Sequence, residues 1–164
     1  LSQVKALTID AGSNIDLYPY LKIPTLDEYL EICTIWKMVP IIETKGDLST
    51  GNIESLIDTL KTKGLINSVI ISSLTLSHLT QIRNINKNVF LEYAVSAFSS
   101  SAVNTAKSLG NTMLGVEYKQ INKDVMDECF ESDILVSGWT TNDYNVTKNL
   151  EKLGVFSIYS DIIC

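Results

Sequence analysis

The sequence predicts an α/β fold built from repeated strand–helix units. Six short apolar runs, rich in β-branched residues, are centred near residues 42, 70, 92, 114, 135 and 158. Their spacing of roughly 20–30 residues is the size of one strand–helix unit. Between the runs, apolar residues recur at i, i+3, i+4 and i+7, which is the spacing along one face of an α-helix. Parallel strands joined by helical crossovers explain this alternation.

The ends of the predicted elements follow from local signals. Thr25 and Glu28 form a capping box ahead of an apolar stripe, Asn122 is a candidate cap, and glycines end several helices. The predicted helices are Thr25 to about Trp36, Asn52–Lys63, Ser77–Ile85, Ser101–Leu109, a helix from about Asn122 with Val125, Met126, Cys129 and Phe130 inward, and Asp143–Leu153. The predicted strands are the run 39–42 that leads to Glu43, then Ser68–Ser72, Val89–Val95, Thr112–Val116, Asp133–Ser137 and Phe156–Ser160.

The chain is predicted to be a single domain, 1–164. Residues 1–23 show no sustained period and contain turn formers, so they are interpreted as a connecting segment with one short helical turn around Val4 to Leu7. Residues 24–164 carry the repeating helix and strand units.

Two architectures fit this order of elements. An open doubly wound sheet reverses its strand order at one point and often carries a glycine-rich phosphate loop there, but the chain has no GxGxxG or GxxxxGK[ST] motif. The other is part of an eight-stranded TIM-type barrel, which in its complete form takes about 250 residues. Composition and periodicity leave both open.

The composition excludes several classes of function. A net charge of −6 argues against a nucleic-acid partner, which would need a basic surface. No apolar run approaches the roughly 20 residues of a membrane span. Cys33, Cys129 and Cys164 lack the spacing of a metal or redox site, and the single histidine, His78, excludes a multi-histidine zinc centre and is expected at the surface or as a cap. No signal for a compartment is visible.

The stretch Val39–Gly46 contains the best candidate site. Side chains alternate along a strand, so Ile41, Glu43 and Lys45 share one face. Two opposite charges at the end of a buried strand are costly unless they meet each other, a metal or a charged ligand. The carboxyl end of a strand is also where parallel α/β folds place their chemistry. A structural ion pair between Glu43 and Lys45 is the alternative.

Several motifs follow one another in the order and spacing of a single enzyme family. The stretches are Thr8–Gly12 (TIDAG, like LDAG), Ile23–Leu30 (IPTLDEYL, like IPTLEEVL), Ile42–Lys45 (IETK, matching IExK), Ser72-Ser73 (where the family has SF), Ser137–Asn142 (SGWTTN, like WTVN) and Gly154–Asp161 (GVFSIYSD, like GVDGIITD). Taken together, they resemble the glycerophosphodiester phosphodiesterases along essentially the whole chain.

The resemblance implies a TIM-type (β/α) barrel, here a partial barrel with six of eight strands. The family uses a divalent metal, Mg²⁺ or Ca²⁺, to hydrolyse glycerophosphodiesters of lipid metabolism to glycerol 3-phosphate and an alcohol. At the matching positions the resemblance implies that Glu43 is a metal ligand, that Lys45 is a catalytic contact to the phosphate, and that Trp139 lines the substrate pocket. The implied partner is a small phosphodiester.

The family's HRG, PENT, ELD and HD motifs do not occur in this chain, and His78 matches neither of the family's catalytic histidines. We therefore expect the chain alone to be inactive or very weak, within a parent that is a metal-dependent hydrolase. A barrel lacking two strands has two open edges, so a homo-oligomer or an upstream chain that completes the barrel is also expected. The alternative is a non-catalytic barrel remnant that serves as a structural or binding module in a larger protein.

Overall fold

The computed structural model describes residues 1–12 and 14–162, so the prediction about Cys164 lies outside the described residues. The chain divides into two compact units, Leu1–Pro40 and Ile41–Cys164. Among the described helices, none has the length and hydropathy needed to cross a bilayer. The prediction of a single domain stays a prediction.

The first unit contains helix α1 (Ser2–Ala6), a 3-10 turn and helix α2 (Leu26–Ile35). The predicted capping box is confirmed: Glu28 N donates to Thr25 Oγ1 over 3.2 Å, and Thr25 N donates to Glu28 Oε2 over 2.7 Å. Lys5 Nζ donates to the same carboxylate over 2.8 Å. The hydrogen bond from Lys5, followed by that from the Thr25 backbone, lowers the pKa of Glu28 to about 2.

The second unit alternates strands and helices as predicted. Its elements in chain order are β1 (Ile41–Glu43), α3 (Thr50–Thr62), β2 (Ile70–Ser73), α4 (Leu76–Ile85), β3 (Phe90–Val95), α5 (Ser100–Leu109), β4 (Thr112–Glu117), α6 (Lys123–Glu131), β5 (Val136–Trp139), α7 (Tyr144–Leu153) and β6 (Ser157–Ile158). Asn122 caps α6 through its side chain, as predicted. Strand β5 begins later than predicted because Asp133, at φ 57°, still belongs to the turn after α6.

The six strands are all parallel and lie in the order β1-β2-β3-β4-β5-β6. A doubly wound sheet would place a later strand beside an earlier one out of order, so this order excludes that architecture for the described strands. The sheet curls into a half-barrel with helices on its outer side. The predicted partial TIM-type barrel with six strands is confirmed.

The core between strands and helices is apolar, and it corrects two sequence expectations. Val125 and Cys129 of α6 are buried as predicted, but Phe130 is 82% exposed because it lies one position beyond the buried stripe. His78, expected at the surface or as a cap, is only 4% exposed. It lies on the buried face of α4 beside Leu79 and Ile82, and its Nδ1 is 3.4 Å from Ser73 Oγ.

The buried Cys129 thiol is expected to resist alkylation at pH 8 in the folded protein. Burial, with the nearby Glu128 charge, raises its pKa to about 11, so the reactive thiolate is scarce and inaccessible. Because the folded pKa lies above the ordinary value of 9.0, the thiol contributes stability below pH 9 that is lost as the pH rises through 11. Peptide mass spectrometry after iodoacetamide treatment checks this, with denatured protein as the control. Equal labelling of Cys129 in both samples would contradict it.

The half-barrel leaves a terminal strand at each end of the described sheet, β1 and β6, each paired with one neighbour. Strand edges of this kind pair readily with other chains. The predicted self-association therefore stays a prediction: we expect a solution mass above that of the 18.2 kDa chain, rising with concentration. Light scattering after size-exclusion chromatography measures it, and a constant monomer mass across a hundredfold concentration range would refute it.

Candidate active site at the carboxyl ends of the strands

A cavity of about 400 Å³ opens inside the curl of the sheet, at the carboxyl ends of its strands. Its lining residues from β1, β2, β3 and the positions just after β1 and β2 are two positions apart, as expected for side chains that point to one face. The lining residues are Ile41, Glu43, Lys45, Ser72, Leu74, Glu92, Ala94, Trp139, Thr140 and Tyr159. The structure thus brings together all three residues selected from the sequence: Glu43, Lys45 and Trp139.

Glu43 and Lys45 form an ion pair at the rim of this cavity, with Lys45 Nζ 3.0 Å from Glu43 Oε2. The structural ion pair considered from the sequence is therefore present. The Lys45 side chain is 72% exposed and that of Glu43 is 38% exposed. A pair in such a position contributes little to stability, about 0–1 kcal/mol. Both charges therefore remain available to a ligand.

A second carboxylate, Glu92, lies deeper in the cavity on the same row of the sheet. Glu43 is in register with Ser72, and Ser72 is in register with Glu92. Adjacent strands are about 4.8 Å apart, so the two glutamate Cα atoms are separated by about 10 Å. The small Ser72 between them leaves room in the cavity.

Glu92 is only 2% exposed, and hydroxyl groups hold both of its carboxylate oxygens. Ser137 Oγ donates to Oε1, and Tyr159 Oη donates to Oε2 over 2.6 Å. The sequence does not single out Glu92, because these partners lie 45 and 67 residues further along the chain. Its alternation with apolar residues allows a position inside a barrel but favours an exposed or ion-paired one, and the burial of Glu92 corrects that expectation. The carboxylate is therefore a site residue that only the tertiary structure identifies.

Gly115 on β4 makes the contact between Glu92 and Ser137 possible. A Cβ atom at this position would lie 2.9 Å from Glu92 Oε1, 3.1 Å from Glu92 Cδ and 3.2 Å from Ser137 Oγ. Glycine therefore leaves the space through which the carboxylate of β3 crosses β4 to reach β5. Glycine inside a strand often marks such a close approach. A glycine within a predicted strand was thus a local signal that the sequence analysis did not use.

Trp139 forms part of the cavity wall at the end of β5. The peptide bond that links it to Thr140 is cis. Its indole Nε1 is buried and has no hydrogen-bond partner among the described residues. Buried hydrogen-bond donors nearly always have an acceptor in folded proteins, so the unpaired Nε1 is unusual. Trp139 therefore lines the cavity while its indole N–H is shielded from solvent.

The cavity residues do not by themselves fit a divalent cation. Mg²⁺ and Ca²⁺ take about six or more oxygen ligands. Over residues 1–12 and 14–162, no group of three or more His, Cys, Asp or Glu side chains is placed to hold a metal. Glu43 is paired with Lys45, and Glu92 accepts two hydroxyl hydrogen bonds. The described residues thus offer Glu43 as a single carboxylate at the rim.

Comparison with solved structures decides the fold. A phosphodiesterase from Oleispira antarctica, in complex with the product sn-glycerol-3-phosphate, superposes with a TM-score of 0.86 at 23% identity over 98% of this chain. A glycerophosphodiester phosphodiesterase from Parabacteroides distasonis gives 0.79 at 20% identity over 98% of the chain. This chain has the glycerophosphodiester phosphodiesterase fold. It spans 66% of the length of each of these two proteins.

The glycerophosphodiester phosphodiesterase fold confirms the resemblance noted in the sequence motifs, at the level of architecture. No family model matches the sequence, and no curated protein matches it. The phosphodiesterase PaMucR in its c-di-GMP complex also superposes, with a TM-score of 0.60 at 15% identity over 82% of the chain. Phosphodiesterases that bind different ligands therefore superpose on this chain, so the fold alone does not identify a substrate.

Proposed function

We propose that this chain supplies part of the active site of a phosphodiesterase that hydrolyses glycerophosphodiesters to glycerol 3-phosphate and an alcohol. The observation that carries the proposal is the cavity at the carboxyl ends of the strands, where Glu43, Lys45 and Trp139 line one space. Barrel enzymes place their active sites at this end. The product bound to the Oleispira protein of the same fold supports the choice of substrate.

Each of the three residues has a role that its chemistry supports. The exposed Lys45 ammonium is a positive charge that binds phosphoryl oxygens and stabilises the charge they gain during hydrolysis. Glu43 orients Lys45 through their ion pair and offers a carboxylate at the rim. Trp139, with Leu74 on the wall of the same cavity, packs against the carbon atoms of the glycerol group.

Hydrolysis also needs an activated water and a proton for the leaving alcohol. The lining residues include no histidine, and His78 is buried against Ser73. A divalent cation would polarise a phosphoryl oxygen, and Mg²⁺ or Ca²⁺ stays our proposal for the complete site, with Glu43 as one ligand. The residues present do not make up a ligand set, so we assign no step to a metal. We accordingly propose that the chain alone binds substrate but turns it over weakly or not at all.

The test measures release of glycerol 3-phosphate from glycerophosphodiesters by the natural protein that contains this chain, with Mg²⁺ or Ca²⁺ added. We expect Glu43→Gln to lower kcat/KM by about 100-fold, since one charged group at the reacting phosphate is lost. Glu117→Gln is the matched control. Glu117 also ends a strand and pairs with a lysine two residues on, Lys119, at a similar exposure, but it does not line the cavity. If both variants behave alike, the role of Glu43 is wrong.

One observation favours the non-catalytic alternative: the described residues contain neither a metal-binding group nor a histidine in the cavity. A barrel remnant kept for structure or binding would show no hydrolysis in the natural protein with either cation. Activity in the wild type rejects this alternative, whereas a complete lack of activity with intact folding supports it.

A further inference from the structure

The backbone of Thr44 is held at both its N–H and its carbonyl group by the neighbouring strand. Thr44 lies between Glu43 and Lys45 and is only 5% exposed. Its N–H donates to Ser72 O over 2.8 Å, and its carbonyl oxygen accepts a hydrogen bond from Ser73 Oγ over 2.9 Å. The orientation of this backbone fixes where the charged side chains before and after it leave the strand.

This hold matters because β1 is short and lies at the end of the described sheet. It has three residues, pairs among the described strands only with β2, and its last register pair is Glu43 with Ser72. The chain then bends at Gly46, where φ is 70°. A strand with one neighbour has fewer hydrogen bonds to hold it than a central strand. The bond from Ser73 Oγ therefore acts where the sheet itself holds the site least.

Ser73 has a single hydroxyl proton, and within the described residues three polar groups contact its oxygen. The proton goes to Thr44 O, the acceptor at 2.9 Å. The oxygen accepts a hydrogen bond from Thr75 N over 3.0 Å. His78 Nδ1 lies 3.4 Å away and can take part only as a donor, because the hydroxyl proton is already used. This count requires a proton on Nδ1 of the His78 ring.

The contact between His78 and Ser73 is shielded from water. His78 is 4% exposed on the buried face of α4, beside Leu79 and Ile82, and Ser73 is completely buried. Water therefore does not compete for this hydrogen bond, and a buried polar group that loses its partner is costly. The imidazole thus restricts how the Ser73 hydroxyl can turn.

We propose that Ser73 and His78 are positioning residues of the candidate active site. The Nδ1–H of His78 orients the Ser73 hydroxyl, and that hydroxyl holds the carbonyl group of Thr44. Glu43 and Lys45 thereby keep the directions in which both reach the cavity. Neither positioning residue lines the cavity, so both act through Thr44 and not on the substrate. The inference rests on the proposed function and deepens it, because it says what keeps the two charged residues in place.

The first experiment needs no ligand and no variant. His78 is the only histidine of the chain, so its ring signals in a proton–nitrogen correlation spectrum are unambiguous. We expect the wild-type spectrum in neutral solution to show a proton on Nδ1. A spectrum with a bare Nδ1 and the proton on Nε2 overturns the role of His78.

The second experiment measures amide hydrogen exchange in Ser73→Ala, with Thr112→Val as the matched control. Thr112 is also buried, and its hydroxyl also donates to a backbone carbonyl, that of Gly110 over 2.8 Å, but at the amino end of β4. We expect Ser73→Ala to speed exchange of the Thr44 amide at least about tenfold relative to that of Leu114, because the hold is local. Thr112→Val should not. Unchanged protection of Thr44 in Ser73→Ala overturns the inference.

The third experiment tests the position of the donor by calorimetric titration with sn-glycerol 3-phosphate. In His78→Asn the side-chain amide nitrogen can take the place of Nδ1, whereas in His78→Gln it lies nearer to that of Nε2. We expect His78→Asn to bind within about twofold of wild type, and His78→Gln and Ser73→Ala to bind about tenfold more weakly, since small misplacements of site groups are costly. Thr112→Val should bind as wild type does.

A merely structural role for His78 predicts equal losses in His78→Asn and His78→Gln, and that result overturns the inference. If Ser73→Ala does not fold, the wild-type spectrum and the two His78 variants decide. The two proposals fail in different ways. If wild type binds sn-glycerol 3-phosphate and Ser73→Ala binds it equally well, the proposed function stands and the positioning role falls. If wild type does not bind it and the Thr44 amide responds as expected, the hold on Thr44 stands and the proposed function falls.

Discussion

Replacing Gly115 with alanine is expected to lower the free energy of unfolding by about 1–3 kcal/mol, the usual cost of an extra methyl group in a closely packed interior. The new Cβ atom would lie 2.9 Å from Glu92 Oε1 and 3.2 Å from Ser137 Oγ. Neither neighbour can withdraw freely, because the two are hydrogen-bonded to each other and Tyr159 holds the second oxygen of Glu92. Urea unfolding followed by circular dichroism measures the change.

Gly51→Ala is the matched control for the glycine substitution. Gly51 lies in the first turn of α3, is exposed, and a Cβ atom there meets nothing closer than Ser49 Oγ at 3.8 Å. Alanine is the better helix former, so this variant should be neutral or more stable by up to about 1 kcal/mol. The cost of Gly115→Ala should also shrink in a Glu92→Ala background, because the clashing side chain is then absent. Additive effects of these two substitutions would contradict the proposed packing.

Lys45→Met is expected to weaken binding of sn-glycerol 3-phosphate by about 10- to 100-fold, the range expected for loss of a charge-assisted hydrogen bond worth about 1.5–3 kcal/mol. Methionine keeps most of the apolar stem and removes the ammonium group of a side chain that is 72% exposed at the rim of the cavity. The loss should be largest at low ionic strength, because salt screens an exposed charge. Calorimetric titration at two salt concentrations measures both effects.

Lys119→Met provides the comparison for Lys45. Lys119 pairs with Glu117 at 3.8 Å just after β4, with 69% of its side chain exposed, but it does not line the cavity. The net charge of the protein changes equally in both variants. A general loss of positive charge would therefore weaken binding in both, whereas a direct phosphate contact weakens it only in Lys45→Met. Equal losses would refute the role of Lys45.

Much of the fold was predictable because its signals are local. The capping box of Thr25 and Glu28, the cap at Asn122 and the alternation of strands and helices involve residues a few positions apart. The sharing of one face by Glu43 and Lys45 follows from the two-residue period of a strand, and both line the cavity. Burial that depends on contacts with other elements was predicted wrongly from the local pattern. Phe130 was expected to be buried and is exposed, and His78 was expected at the surface or as a cap and is buried.

The sequence by itself determined that the protein is a parallel α/β chain with an acidic and a basic side chain together at the end of its first strand. Composition and periodicity left a doubly wound sheet and a barrel open, and the family resemblance implied the barrel. The tertiary structure decided between them, because strand order depends on pairings across some 20–30 residues of intervening chain. It alone also revealed Glu92 as a site residue. The contacts of Glu92 with Ser137 and Tyr159 connect residues far apart in the chain. Local periodicity does not predict which side chains meet inside a curled sheet.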